Sequence, residues 1–237
     1  MACPLLKAAR RSGAQGLVSG AAFGLIAPAA DYVYGANMAK NGNSVNIESS
    51  GERYHHGDLR RALILKGLER LAEAPAEEFS LRELARSVGV SATAVYRHFP
   101  DKAALLTELC IEGDHMLAEA FRKAMARVKP GMEAFDEMGR AYVKFALAHP
   151  AVFRLMMSPA GARRDEGEAG AMLVDALKGL SGPGVTQAER DVQRLKAWSQ
   201  VHGLAMLMLD GLVPANKALI DQVISADFIS GNKKRKS

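Results

Sequence analysis

At 237 residues, 49% hydrophobic and 24% charged, the chain can bury one sizeable core or two small ones, and its composition excludes a disordered or fibrous protein. A net charge of +5 ordinarily points to an acidic partner such as nucleic acid or an anionic membrane. The charge lies at the ends, however: Lys233, Lys234, Arg235 and Lys236 carry +4 and residues 1–51 carry +2, which leaves −1 on residues 52–232.

Two cysteines, Cys3 and Cys110, make no disulfide framework and lack metal-site spacing, so a reducing compartment is expected. No apolar run reaches the roughly 18 residues that a membrane-spanning helix needs. Residues 1–30 nonetheless have the form of a signal peptide: Lys7, Arg10 and Arg11, an apolar stretch from Leu17 to Ile26, then Ala27-Pro28-Ala29-Ala30. The competing reading starts translation at Met38 and makes residues 1–37 an upstream stretch, and it is preferred because the chain beyond Met38 has the character of a cytoplasmic protein. On either reading residues 1–50 form a poorly ordered leader. The first reading carries a rival function, an exported helical protein.

From Tyr54 onward apolar residues recur at three and four, and no alternating β-branched stretch occurs, so the fold class is all-α. A first helix is predicted from Asp58 to Glu73, with Asp58 as its N-cap and Leu59, Leu63, Leu68 and Leu71 on one face. Ser80 and Glu83 have capping-box spacing for a short second helix that Gly89 ends. Ser91 caps a third helix, Ala92 to His98, whose Val95 and Phe99 turn back toward Leu84, Ala85 and Val88. Helix, tight turn with glycine, helix is the helix-turn-helix pattern. Pro100 ends the third helix, and Asp101 caps a fourth, Lys102 to about Arg127. Further helices are predicted at Gly131–Ala148, Ala151–Met157, Glu166–Leu180, Gln187–Leu209 and Ala215–Ser230.

The string Phe79-Ser80-Leu81-Arg82-Glu83-Leu84-Ala85, Val88-Gly89-Val90-Ser91, Val95-Tyr96-Arg97-His98-Phe99 and Lys102-Ala103-Ala104-Leu105-Leu106 closely resembles the TetR/AcrR family of transcriptional regulators. The resemblance is strong over residues 54 to about 108. It implies an N-terminal three-helix DNA-binding domain at 54–102, a helical ligand-binding and dimerisation domain at 103–230, and a basic disordered tail at 231–237. Residue chemistry agrees. Small Ala92 and Thr93 at the start of the third helix let backbone approach base edges in a major groove. Tyr96, Arg97, His98 and Lys102, with Ser80, Arg82 and the capping Ser91, suit phosphate contacts that position the module. The stretch Ser80–Lys102 carries only +2, so two copies on double-stranded DNA are expected. Tyr54-His55-His56-Gly57-Asp58-Leu59 resembles a lead-in seen in one branch of the family; adjacent histidines point apart and make poor metal ligands, so a DNA-flanking arm or plain lead-in is favoured.

Beyond residue 108 no phosphate loop, nucleophile elbow or paired-acid motif occurs, so no enzyme, cofactor or metal site is expected. Nine of the 11 methionines lie between Met116 and Met208. With Tyr142, Phe145, Phe153 and Trp198 they suit a pocket for a small apolar or amphipathic ligand, or ordinary core. Trp198-Ser199-Gln200-Val201-His202-Gly203 resembles the Trp-His-Gly type of TetR-like C-terminal domain. Its Trp198 and His202 share a helix face. The ligand candidates are thus Met116, Tyr142, Phe145, Phe153, Met156, Trp198 and His202. The last two helices resemble the family's dimer-forming pair, which implies a homodimer and a roughly palindromic operator.

Overall fold

Leucine and alanine at helical spacing, with a capping side chain before most starts, divide the chain into nine α-helices among the described residues. The computed structural model describes residues 56–74, 76–158 and 167–225. The helices are α1 His56–Glu73, α2 Leu81–Val88, α3 Ala92–His98, α4 Lys102–Met125, α5 Met132–Ala148, α6 Pro150–Met157, α7 Glu168–Leu180, α8 Gln187–Leu209 and α9 Lys217–Val223. A short 3-10 turn, Ala76–Glu78, precedes α2. The leader, the Tyr54-His55 lead-in and the basic tail lie outside the described residues. No helix among those described is long and apolar enough to cross a membrane.

The caps explain the helix-turn-helix boundaries. The Glu83 N–H donates to Ser80 Oγ, the Ala94 N–H to Ser91 Oγ (3.2 Å) and the Ala104 N–H to Asp101 Oδ1 (2.8 Å), each removing an orphan donor at a helix start. Gly89 ends α2 in the left-handed region at φ 74°, its N–H directed to Ala85 O and Arg86 O. Nothing lies within 4 Å of a Cβ built on Gly89, so only backbone strain opposes a side chain there. Gly89→Ala is expected to cost about 1 kcal/mol. Gly179→Ala, at an exposed and equally uncrowded position inside α7, should instead stabilise by a few tenths of a kcal/mol or more. Urea midpoints of the two variants should therefore move in opposite directions.

Three expectations are corrected. The first helix begins at His56, so Asp58 lies inside it rather than at the N-cap. Glu83 does not complete a capping box; its carboxylate lies 3.8 Å from Arg70 Nη2 of α1. The complete box is at α8, where Thr186 and Glu189 satisfy each other's donors. The last helix starts two residues later than Ala215 and stops at Val223, with Ile224 extended (φ −83°, ψ 106°). Two side chains hold that end: Gln200 donates to Val223 O (2.8 Å) and Arg140 to Ile224 O (3.4 Å). Residues 226–230 of the expected helix lie outside the described residues.

Packing joins the helix-turn-helix unit to the body. α1 packs on α2, α4 and α6, α2 on α3, α4 on α5, α6 and α7, and α5 on α6, α8 and α9. One cluster of buried side chains runs from Leu59 through Leu84, Val95, Phe99, Leu109 and Phe153 to Ile224. A smaller one gathers Phe135, Leu177 and Ala197. α4 and α6 approach closely at Gly113, where an added Cβ would meet Val152 at 2.7 Å and Met156 Sδ at 2.8 Å. Buried Asp114 of α4 accepts from the Ala169 N–H at the start of α7 (3.3 Å), and Glu168 of α7 pairs with Arg122 and His115 of α4. Thus α4 is the spine that every neighbouring element grips.

Candidate functional site

Two groups of side chains are candidates for function. The first is the outer surface of α2 and α3. In α3, Val95 and the following Phe99 are buried, and helical spacing then turns Thr93, Tyr96 and Arg97 outward. All three are exposed, Tyr96 by 45%, while Ala92 and His98 are partly so. Ser80 and Ser91 serve as caps. Arg82 is exposed on α2, and Lys102 opens α4 partly buried. Arg86, one turn beyond Arg82, is equally exposed and was not singled out from sequence. Arg82, Arg86 and Arg97 make no ion pair among the described residues, whereas the nearby Glu83 is engaged by Arg70. These three guanidinium groups are therefore not neutralised by a carboxylate among the described residues.

Arg60 was also missed. Its guanidinium pairs with Glu108 of α4 at 2.7 Å and lies 5.5 Å over the Phe99 ring at the end of α3. It bridges α1, the third helix and the spine. In sequence it looks like any solvated charge on an amphipathic helix.

The second group lies in the body. Tyr142 of α5, Phe153 of α6, and Trp198 and His202 of α8 meet in one cluster. The Tyr142 ring stands edge-on to Phe153 (centroids 5.5 Å, 84°). His202 lies 5.7 Å from Phe153 and 5.6 Å from Trp198. Trp198 Nε1–H donates to the Tyr142 oxygen at 3.3 Å, and that hydroxyl is 3.1 Å from His202 Nδ1. Met157 Sδ, not anticipated, lies 4.0 Å from the same hydroxyl. The other candidates stand apart from the rings: Phe145 packs on His149 (5.1 Å), and Met116 and Met156 fill the main core. A separate groove of about 170 Å³ between α7 and α8 is lined by Leu177, Lys178, Arg190 and Arg194, and none of the seven candidates borders it.

Burial pushes the Tyr142 phenol up to about 12, a shift only partly offset by the Trp198 hydrogen bond, so the hydroxyl stays neutral near pH 7. Burial also holds His202 and His149 below the usual imidazole value of 6.5. On acidification the unfolded chain therefore takes up these protons before the folded one, and stability falls as the pH drops through about 6.5. His202→Gln should flatten part of the decline in urea midpoint between about pH 7 and pH 5.

Two sequence-family profiles match the chain. Residues 63–109 fit "Bacterial regulatory proteins, tetR family" and residues 135–226 fit "Tetracyclin repressor-like, C-terminal domain". The chain belongs to the TetR family. The match of the TetR helix-turn-helix covers α2 and α3 with their caps, and the C-terminal match contains Tyr142, Phe153, Trp198 and His202. An uncharacterized HTH-type transcriptional regulator of Haemophilus influenzae is 34% identical over 99 residues, 41% of this chain and 48% of the relative. The chain thus spans about half the length of that curated relative. A solved protein of unknown function from Rhodococcus sp. RHA1 is 30% identical, with TM-score 0.59 over 75% of this chain and 96% of that one. A TetR family transcription regulator from Marinobacter aquaeolei, at 18% identity, shares the fold alone (TM-score 0.53; 71% of this chain, 93% of that one).

Proposed function

We propose that this TetR-family protein is a cytoplasmic, DNA-binding transcriptional repressor that binds a roughly palindromic operator as a homodimer and leaves it when a small apolar or amphipathic ligand occupies the C-terminal body. The observation that carries the reading is α3, which turns Thr93, Tyr96 and Arg97 to solvent while Val95 and Phe99 anchor it. Ala92 and Thr93 read base edges, and Tyr96, Arg97, His98, Lys102, Arg82, Ser80 and Ser91 face the backbone phosphates. Residues 54–102 form the reading unit, and residues 103–230 the sensing and dimerising unit.

Dimerisation is assigned to the outer side of α8. Spacings of seven and four put Val192, Ser199 and Gly203 on the side opposite the buried Ala197, Leu204 and Met208. A Cβ on Gly203 meets nothing within 4 Å, and Leu207, Leu212 and Val223 nearby are exposed apolar residues. The sensing path runs through α6, which carries Phe153, Met156 and Met157 and packs on both α1 and α4. A ligand that moves α6 changes the tilt of α4 and with it the separation of the two recognition helices. Ligand and DNA affinities are then reciprocally coupled.

Fluorescence anisotropy on DNA selected by the full chain from a random pool tests the reading. The expected result is a sequence-preferring complex that weakens steeply with salt. Equal affinity for selected and scrambled DNA at every salt concentration would overturn it.

A further inference from the structure

The protons of the α5–α6–α8 cluster have one favoured arrangement. Trp198 Nε1–H can only donate, and its acceptor is the Tyr142 oxygen at 3.3 Å. The Tyr142 hydrogen is then free to be donated to His202 Nδ1 at 3.1 Å. The competing arrangement turns that hydrogen toward Met157 Sδ at 4.0 Å and trades an O–H···N bond for a weak thioether contact. A relay thus runs Trp198 N–H, Tyr142 O–H, His202 Nδ1, and each bond polarises the next. It leaves the His202 hydrogen on Nε2, which has no protein partner among the described residues.

Two apolar side chains of this cluster reach the surface. Trp198 and Met157 are 38% and 37% exposed, among the few large hydrophobic side chains at the surface. Arg154, the neighbour of Phe153, is already paired with Asp210 at 2.8 Å. No carboxylate, lysine or arginine bonds to Tyr142, Trp198 or His202 among the described residues.

Building on the sensor reading above, we infer that His202 Nε2–H is the recognition donor of a site for an uncharged, flat ligand with one hydrogen-bond acceptor, such as an aromatic ketone, ester or lactone, stacked against Trp198 and Met157. A charged ligand would gain no counter-charge from Tyr142, Trp198 or His202, and Arg154 is already engaged by Asp210.

Trp198 is the chain's single tryptophan, so its indole N–H gives one resonance in a nitrogen-15 correlation spectrum of the full chain. The probes are acetophenone, benzoate and benzylamine, alike in ring and different in charge. Acetophenone is expected to shift the resonance saturably, with an affinity at least about tenfold above the two ions. His202→Phe should lose about tenfold of that affinity, and His202→Gln, whose amide supplies a donor near the Nε2 position, should retain most of it. Benzoate or benzylamine binding as tightly as acetophenone would overturn the inference, as would undiminished binding by H202F. A resonance that moves on dilution yet ignores all three probes would assign this face to a second copy and overturn it too. If H202F does not fold, the charge comparison on the unaltered protein and the H202Q titration still decide. Binding to the selected DNA is measured on the same sample before any probe is added: sequence-preferring DNA binding with no probe response removes this inference alone, and no sequence-preferring DNA binding at that stage removes the sensor reading.

Discussion

Replacing Tyr96 and Arg97 together by alanine is expected to weaken operator binding at least about 100-fold while leaving thermal unfolding within a degree or two of the parent. Both side chains are exposed and make no ion pair or hydrogen bond among the described residues, so little folding energy is lost. Each phosphate contact is worth roughly 1 kcal/mol or more. A two-fold complex loses both contacts twice, which takes the total past the 2.8 kcal/mol or so of a 100-fold change. The salt dependence should also become shallower, because two fewer guanidinium groups displace counterions per dimer. Unchanged affinity in anisotropy titrations at fixed salt would remove α3 from the interface.

Phe153→Ala should give the largest loss of stability, about 3–5 kcal/mol in urea unfolding. Phe153 is 0% exposed and holds two neighbours at once, the edge of Tyr142 and the ring of His202. Its helix α6 packs on α1, α4 and α5. The cavity opens where the Tyr142–His202 cluster meets the spine, so, on the proposed sensing role, ligand response should fail in this variant even under conditions where it remains folded. Phe153→Leu, closer in volume, should cost less than half as much. A loss below about 1 kcal/mol for the alanine variant would show that α6 is not clamped as the geometry requires.

The helix-turn-helix was legible because its signals are local. Ser80, Ser91 and Asp101 act within three residues, and Gly89 sets its own turn. The end of α9 was not legible: Leu219, Ile220, Val223, Ile224 and Phe228 keep a helical rhythm past the point where α9 stops. What ends the helix are hydrogen bonds from Gln200 on α8 and Arg140 on α5, groups 23 and 84 residues distant in sequence.

The same contrast holds for the candidate sites. Trp198 and His202 are visible as an i, i+4 pair, and Thr93, Tyr96 and Arg97 follow from the position of Val95 and Phe99. The hydroxyl that orients the pair comes from Tyr142, 56 residues before Trp198, and no periodicity announces it. Arg60 escaped for a similar reason, because its partners Glu108 and Phe99 come together only in the folded chain. The charge of +5 was a poor guide to the proposed DNA-facing surface. Its excess lies at the chain ends, while the proposed interface relies on a few arginines left without internal partners.

On the proposed function, two copies of α3 read DNA across a two-fold axis. A nuclease footprint of the full chain on DNA from upstream of its own coding sequence tests this most directly. The expected result is two protected half-sites in successive major grooves, related by an approximate palindrome and filled together at one dimer per site. A single asymmetric protected patch, or protection that follows no sequence at any salt concentration, would contradict it.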